Sequence, residues 1–160
     1  MKNARDWGFT LLELVIVVVV MAMVLGVSYP SLSGGSAAIK LRSTGRDILN
    51  TFRYAREKAV TEQTGMRVTV DREKQELTLS DDLGEGRRRY VLPAEVKIQR
   101  MALGGTEIKE GPLVVRFLPN GSAENAEVLL QSRTGYYLRI ITDPITGGAR
   151  VEQGPGESIQ

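Results

Sequence analysis

Residues 7–30, WGFTLLELVIVVVVMAMVLGVSYP, decide how the rest of the chain is read. From Phe9 to Tyr29 the residues are apolar apart from Thr10, Glu13 and Ser28, with a permissive Gly26. About 20 such residues, each rising about 1.5 Å, match the hydrocarbon thickness of a bilayer, so the run predicts a transmembrane helix. Lys2 and Arg5 precede it and Asp6 partly offsets them. Residues 1–8 are therefore expected in the cytoplasm and the rest outside. Glu13 is the anomaly, because an acid at mid-membrane costs about 2.5–3.5 kcal/mol on insertion scales. Four residues in from the start of the run, it lies shallow enough to reach the interface. It is then either a snorkelling or protonated group without a role, or a functional acid, which is the default for ionisable residues in membranes. A cleaved secretory signal is excluded by length, since its apolar region spans only about 7–15 residues.

Downstream, Pro30 lacks an N–H and predicts the end of the apolar helix or a bend in it. SLSGGSAA follows, with Gly34 and Gly35 as a loosening point. A second helical pattern runs from about Ser36 to Gln63. Leu41, Gly45, Ile48, Phe52, Ala55 and Ala59 recur at spacings of three and four, forming one stripe, while Arg42, Arg46, Asp47, Arg53, Arg56, Glu57 and Lys58 fill the other faces. Thr64–Gly65 is the expected stop. The two segments can join into one long helix bent near Pro30.

From Met66 the period falls to two. MRVTVD and QELTLS alternate around REK and predict a hairpin. RRRYVLP, VKIQR, GPLVVRF, AEVLLQS, GYYLRIIT and GGARVEQ read as further short strands, with Pro119–Asn120–Gly121 a strong turn signal. The tail GPGESIQ is expected to be disordered. A helix followed by about seven or eight strands gives an α+β class: a long N-terminal helix, half transmembrane and half amphipathic, packed on antiparallel sheet.

Among 160 residues there is no His and no Cys. That excludes Ser-His-Asp and Cys-His catalysis, thiol redox chemistry and nearly every zinc or copper site. The 21 basic residues barely exceed the 19 acidic ones, so only local patches can attract a polyanion. Arg87–Tyr90 is the densest basic cluster. It suits either phosphate contacts with Tyr90 stacking on a base or a charged, solvated strand edge. Ser80–Asp82 with Glu85 offers oxygens to calcium or is a solvated loop. DPITGG, with Asp143 and Gly147, contains no nucleophile–base pair and reads as a connector.

The order Gly8, Phe9, Thr10, Leu11, Leu12, Glu13 ahead of an uninterrupted apolar helix resembles the type III signal of type IV pilins and of the pseudopilins of type II secretion. The resemblance implies that prepilin peptidase removes the leader, residues 1–8, between Gly8 and Phe9, and that the new Phe9 amine is methylated. It also implies that Glu13 pairs with the Phe9 amine of a neighbouring subunit, setting register during assembly. Further on, Arg56, Ala59, Gly65, Val68 and Val70, then Phe117, Pro119 and Gly121, then Thr146, Gly147 and Val151 resemble the minor pseudopilins of the GspH/FimT family. Asn120–Gly121 stands where that family more often has Asp-Gly. The implied protein is a non-enzymatic inner-membrane subunit. It has a transmembrane or filament-core helix over 9–30 and a periplasmic globular domain over 31–160. Its partners would be other pseudopilins in a hetero-oligomeric filament, and neither cofactor, metal nor nucleic acid is expected. A minor pilin of a type IV pilus, acting in assembly or DNA uptake, remains the alternative.

Overall fold

A computed structural model describes residues 10–86 and 88–154, with side chains for all of these but 25–36 and 154. The leader and the tail beyond 154 lie outside the described residues, and so does the Pro30 side chain. The chain divides into two compact units, Met1–Ser36 and Ala37–Gln160.

Helix α1 spans Leu11–Glu62. Thr10 caps it: its Oγ1 accepts the Glu13 N–H at 3.3 Å, and its carbonyl accepts the Leu14 N–H at 3.2 Å. Thr10-x-x-Glu13 has the spacing of a capping box, and Glu13 in the first turn faces the positive end of the helix dipole. Every large apolar side chain from Leu11 to Val24 is exposed. Among the described residues no helix is long and apolar enough to cross a membrane.

The other end of α1 corrects the expected stop at Thr64–Gly65. Gln63 takes the left-handed conformation, φ 52°, and the Thr64 N–H donates across it to the Ala59 carbonyl at 3.2 Å. This is a Schellman closure with Gln63 in the position glycine usually holds. The Gln63 side chain adds a bond of its own, Nε2 to the Val60 carbonyl at 2.7 Å.

The strands follow in order: β1 Met66–Asp71, β2 Glu76–Asp81, β3 Arg88–Val91, β4 Val96–Leu103, β5 Thr106–Glu107, β6 Leu113–Phe117, β7 Ala126–Ser132, β8 Tyr137–Thr142 and β9 Ala149–Gly154. That is nine among the described residues, where the periodicity suggests seven or eight. The two-residue β5 is too short to show a period. The strands form two antiparallel sheets, β3-β2-β1-β6 and β5-β4-β7-β8-β9. The β1–β2 hairpin closes on Asp71, whose Oδ1 accepts the N–H groups of Glu73 at 3.0 Å and Lys74 at 2.9 Å.

The predicted helical stripe is the buried one. Leu41, Ile48, Phe52, Ala55 and Ala59 join Val68, Val70, Val115 and Phe117 of the first sheet and Val128, Leu130 and Ile140 of the second in one continuous core. Gly45 lets α1 approach β8 closely, since a Cβ there would lie 2.9 Å from the Leu138 methyls.

Candidate functional site

Gly8 and Phe9 lie outside the described residues. Glu13 is exposed at the start of α1, between Leu12 and Leu14, which are 70% and 59% exposed. The sequence pattern Thr-x-x-Glu is the signal that identifies Thr10 as the cap; the acid's apolar surroundings draw attention away from it.

The scattered residues of the second half converge on one joint. Arg56, on an exposed face of α1, donates from Nε to the Gly121 carbonyl at 3.1 Å. Gly121 ends the turn after β6, with φ 85°, and its N–H donates to the Leu118 carbonyl at 2.9 Å. Asn120 fixes that turn by accepting the Ser122 N–H at 3.1 Å. Gly147 packs over the same Gly121 carbonyl, at φ 62°, and a Cβ on residue 147 would fall onto that oxygen. Directly beneath, the Phe52 and Phe117 rings meet with centroids 5.7 Å apart, tilted by 56°. Arg56, Phe117, Gly121 and Gly147 thus fasten the helix to one turn from each sheet.

The Gly147 turn is closed by Asp143. Its Oδ1 accepts from the Ile145 N–H at 3.0 Å, the Thr146 N–H at 2.8 Å and the Thr146 hydroxyl at 3.0 Å. The Thr146 amide and hydroxyl bonds hold the Asp143 carboxyl below its ordinary pKa, chiefly by favouring the charged acceptor. Thr146 and Asp143 thus satisfy each other within the turn. The arrangement supplies position and fastening, with no base aimed at a free nucleophile. Ala59, Val68 and Val70 are buried in the core. Gly65 is kept by contact: a Cβ there would fall on the Asp82 carboxylate, which pairs with Arg67 at 2.9 Å.

The basic cluster is used within the fold. Arg87 lies outside the described residues. Arg88 lies 5.0 Å over the Tyr54 ring, a cation–π geometry. Arg89 pairs with Glu76. The Tyr90 hydroxyl donates to Asp47 at 3.0 Å, and burial first, then Asp47, raise its pKa. These residues form β3, an outer strand of its sheet, where charge opposes edge-to-edge pairing. In the acidic turn, Asp81 accepts the Glu85 N–H at 2.7 Å while Asp82 faces Arg67. Among the described residues no three acidic groups converge as a metal site would require.

Comparison with known proteins adds to this geometry. The family model described as Type II transport protein GspH matches residues 44–147. The "Type II secretion system protein H" of Xanthomonas campestris pv. campestris is 24% identical over 148 residues, covering 92% of this chain and 83% of that protein. Among solved structures, the minor pseudopilin EpsH from the Type 2 Secretion System of Vibrio cholerae superposes with a TM-score of 0.58 at 16% identity, covering 75% of this chain and 99% of that one. A crystal structure of the same pseudopilin gives 0.58 at 15% identity, covering 75% and 97%. At these identities the structural likeness establishes the fold. The family match begins at Thr44 and ends at Gly147, so it takes in the core stripe of α1 from Gly45 onward, both sheets' inner strands and the whole Arg56–Gly121–Gly147 joint. On that span the chain belongs to the type II transport protein GspH family.

Proposed function

We propose that this chain is a minor pseudopilin: a structural subunit of the periplasmic pseudopilus of a type II secretion system, helping to export folded proteins across the outer membrane. The observation that carries this is the GspH family match over residues 44–147, on a fold shared with EpsH. In this reading the chain is held in the inner membrane by residues 9–30, with its globular unit in the periplasm. Its work is assembly and not catalysis. Prepilin peptidase removes residues 1–8, and the Phe9 amine is methylated and keeps its positive charge. That cation on one subunit pairs with Glu13 of the next. An acid among Leu12, Leu14 and the valines that follow is tolerable inside a filament when paired and costly when alone. The pairing also marks register, as buried polar residues do in coiled coils.

Two measurements test the reading. Mass spectrometry of the chain from cells carrying the peptidase should give a methylated Phe9 start. An intact Met1 start, or one beyond Ala22, overturns it. Recruitment to the filament, read by crosslinking to partner subunits, should fall in both Glu13→Gln and Glu13→Val while cleavage continues. Both variants keep the residue-13 N–H that donates to Thr10 Oγ1; Gln also keeps a side chain accepted at the third helical position of a capping box, and Val does not. Glu13→Gln therefore isolates the charge, and parental assembly of that variant sinks the pairing.

A further inference from the structure

We infer that the groove between α1 and the outer strand β9 is a docking site for an extended, acidic segment of another protein chain, added as a further strand along β9. Arg42, Arg46, Arg53 and Arg56 follow one another at spacings of four, seven and three, which places them on one stripe of α1. All four are exposed. Among the described residues none forms an ion pair with a carboxylate. Arg46 donates only to the Arg42 carbonyl, at 3.4 Å, and Arg56 only to that of Gly121. Like charges at these spacings repel within a helix. Elsewhere in the globular unit Arg67, Arg89, Arg139 and Arg150 each face a carboxylate, while the exposed Arg88, Arg116 and Arg133, which form no ion pair among the described residues, are not gathered on one stripe.

The stripe forms one wall of two clefts that succeed each other along α1. The first, about 270 Å³, lies between Arg42 and Arg46 and the β8–β9 side chains Leu138, Val151 and Gln153, with Leu49 at its floor. The second, about 570 Å³, lies between Arg53 and Arg56 and residues 147–149. Glu57 is the one carboxylate among the described lining residues. β9 pairs only with β8, so its outer edge of N–H and C=O groups has no strand partner among the described residues. The strand's own charges do not neutralise the stripe. Arg150 and Glu152 alternate with the groove-lining 149, 151 and 153, so they occupy the opposite face, where they pair with each other at 3.1 Å. An incoming strand would satisfy the edge by backbone bonding, and its alternate acidic side chains would reach the arginines. This surface belongs to the globular unit and does not depend on the anchor.

The test uses the full chain in nonionic detergent and a fluorescent peptide of alternating Glu and Val, about eight residues long to match a strand. Anisotropy should show the Glu peptide binding about tenfold tighter than its Gln counterpart, with affinity falling as salt rises. Hydrogen exchange should slow at β9 amides on binding, and a peptide N-methylated at alternate residues should not bind. Arg46→Gln with Arg53→Gln should weaken binding about tenfold, because each exposed ion pair contributes up to about fivefold. Arg46→Lys with Arg53→Lys should largely retain it. Circular dichroism checks that both variants fold, and the salt titration of the parent decides the matter independently of them. The inference falls if Glu and Gln peptides bind alike, if binding ignores salt, or if β9 exchange is unchanged. It also falls if duplex DNA or a short-chain anionic phospholipid binds the arginines more tightly than the peptide does.

Discussion

At Gly147 the backbone is left-handed and the place of a side chain is taken by the Gly121 carbonyl oxygen. Gly147→Ala should therefore cost about 2 kcal/mol or more in urea denaturation, from the strained conformation and the displaced turn together. Gly105 separates the two causes: its φ is 83°, yet nothing lies within 4 Å of a Cβ there. Gly105→Ala should lose only the conformational part, about 1 kcal/mol. In the adjoining turns, Asp71 and Asp143 both have pKa values lowered from 3.8, each led by an amide donor, Lys74 and Thr146 respectively. A lowered carboxyl stabilises the fold above its unfolded pKa, and that contribution disappears as pH falls through the folded value. Stability should thus decline as pH drops below about 4, and Asp143→Asn should flatten that acid limb in a pH series of melting curves. Tyr90 has the opposite sense: raised in the fold, it contributes stability below pH 10 that is lost as pH rises above it, and Tyr90→Phe should remove this alkaline slope.

The ends of α1 show how an element is punctuated. A glycine just beyond a helical pattern is the usual stop, so Gly65 is the natural candidate from sequence. The structure puts Gln63 in the left-handed position and uses Gly65 to admit the Asp82 carboxylate. Gln63→Gly should accordingly stabilise the fold by up to about 1 kcal/mol, less the lost side-chain bond to Val60. Gly65→Ala should destabilise it by dislodging Asp82 from Arg67. Thermal melts of the two variants should shift in opposite directions; a shared sign would reverse the assignment of the helix stop. At the other end, the structure shows Thr10 capping the helix through the Glu13 N–H, a contact between neighbours three residues apart that the reading of Glu13 as a membrane acid passed over.

Across the whole globular unit a single core joins α1 to both sheets. Phe52 and Phe117 sit at its centre, both essentially inaccessible to solvent and in ring contact. Phe117→Ala should cost about 3–5 kcal/mol. A double-mutant cycle with Phe52→Ala should show coupling of about 0.5–1.5 kcal/mol for the tilted pair. Because helix and both sheets share this core, loosening it should lower one common unfolding transition, with helical and sheet signals lost together; separate transitions would mean that the sheets hold themselves.

The sequence by itself determined the amphipathic helix and its buried stripe, the hairpin at Asp71–Gln75, the limits of β7 and the turn at Asn120–Gly121. Each of these rests on spacings of two to four residues, which a chain expresses locally. It also determined what chemistry is absent, since no fold can supply a missing His or Cys. Only the tertiary structure decided which strands pair. β1 takes β6 as its second neighbour, β7 returns to β4, and the chain passes from one sheet to the other between β3 and β4, back between β5 and β6, and across again between β6 and β7. The longer strands repeat much the same alternation, so local pattern cannot rank distant partners; shared burial and loop closure do. For the same reason the meeting of Arg56, Gly121 and Gly147 could not be read from spacing. These residues are tens of positions apart and come together only when one core draws the helix and two turns to the same place.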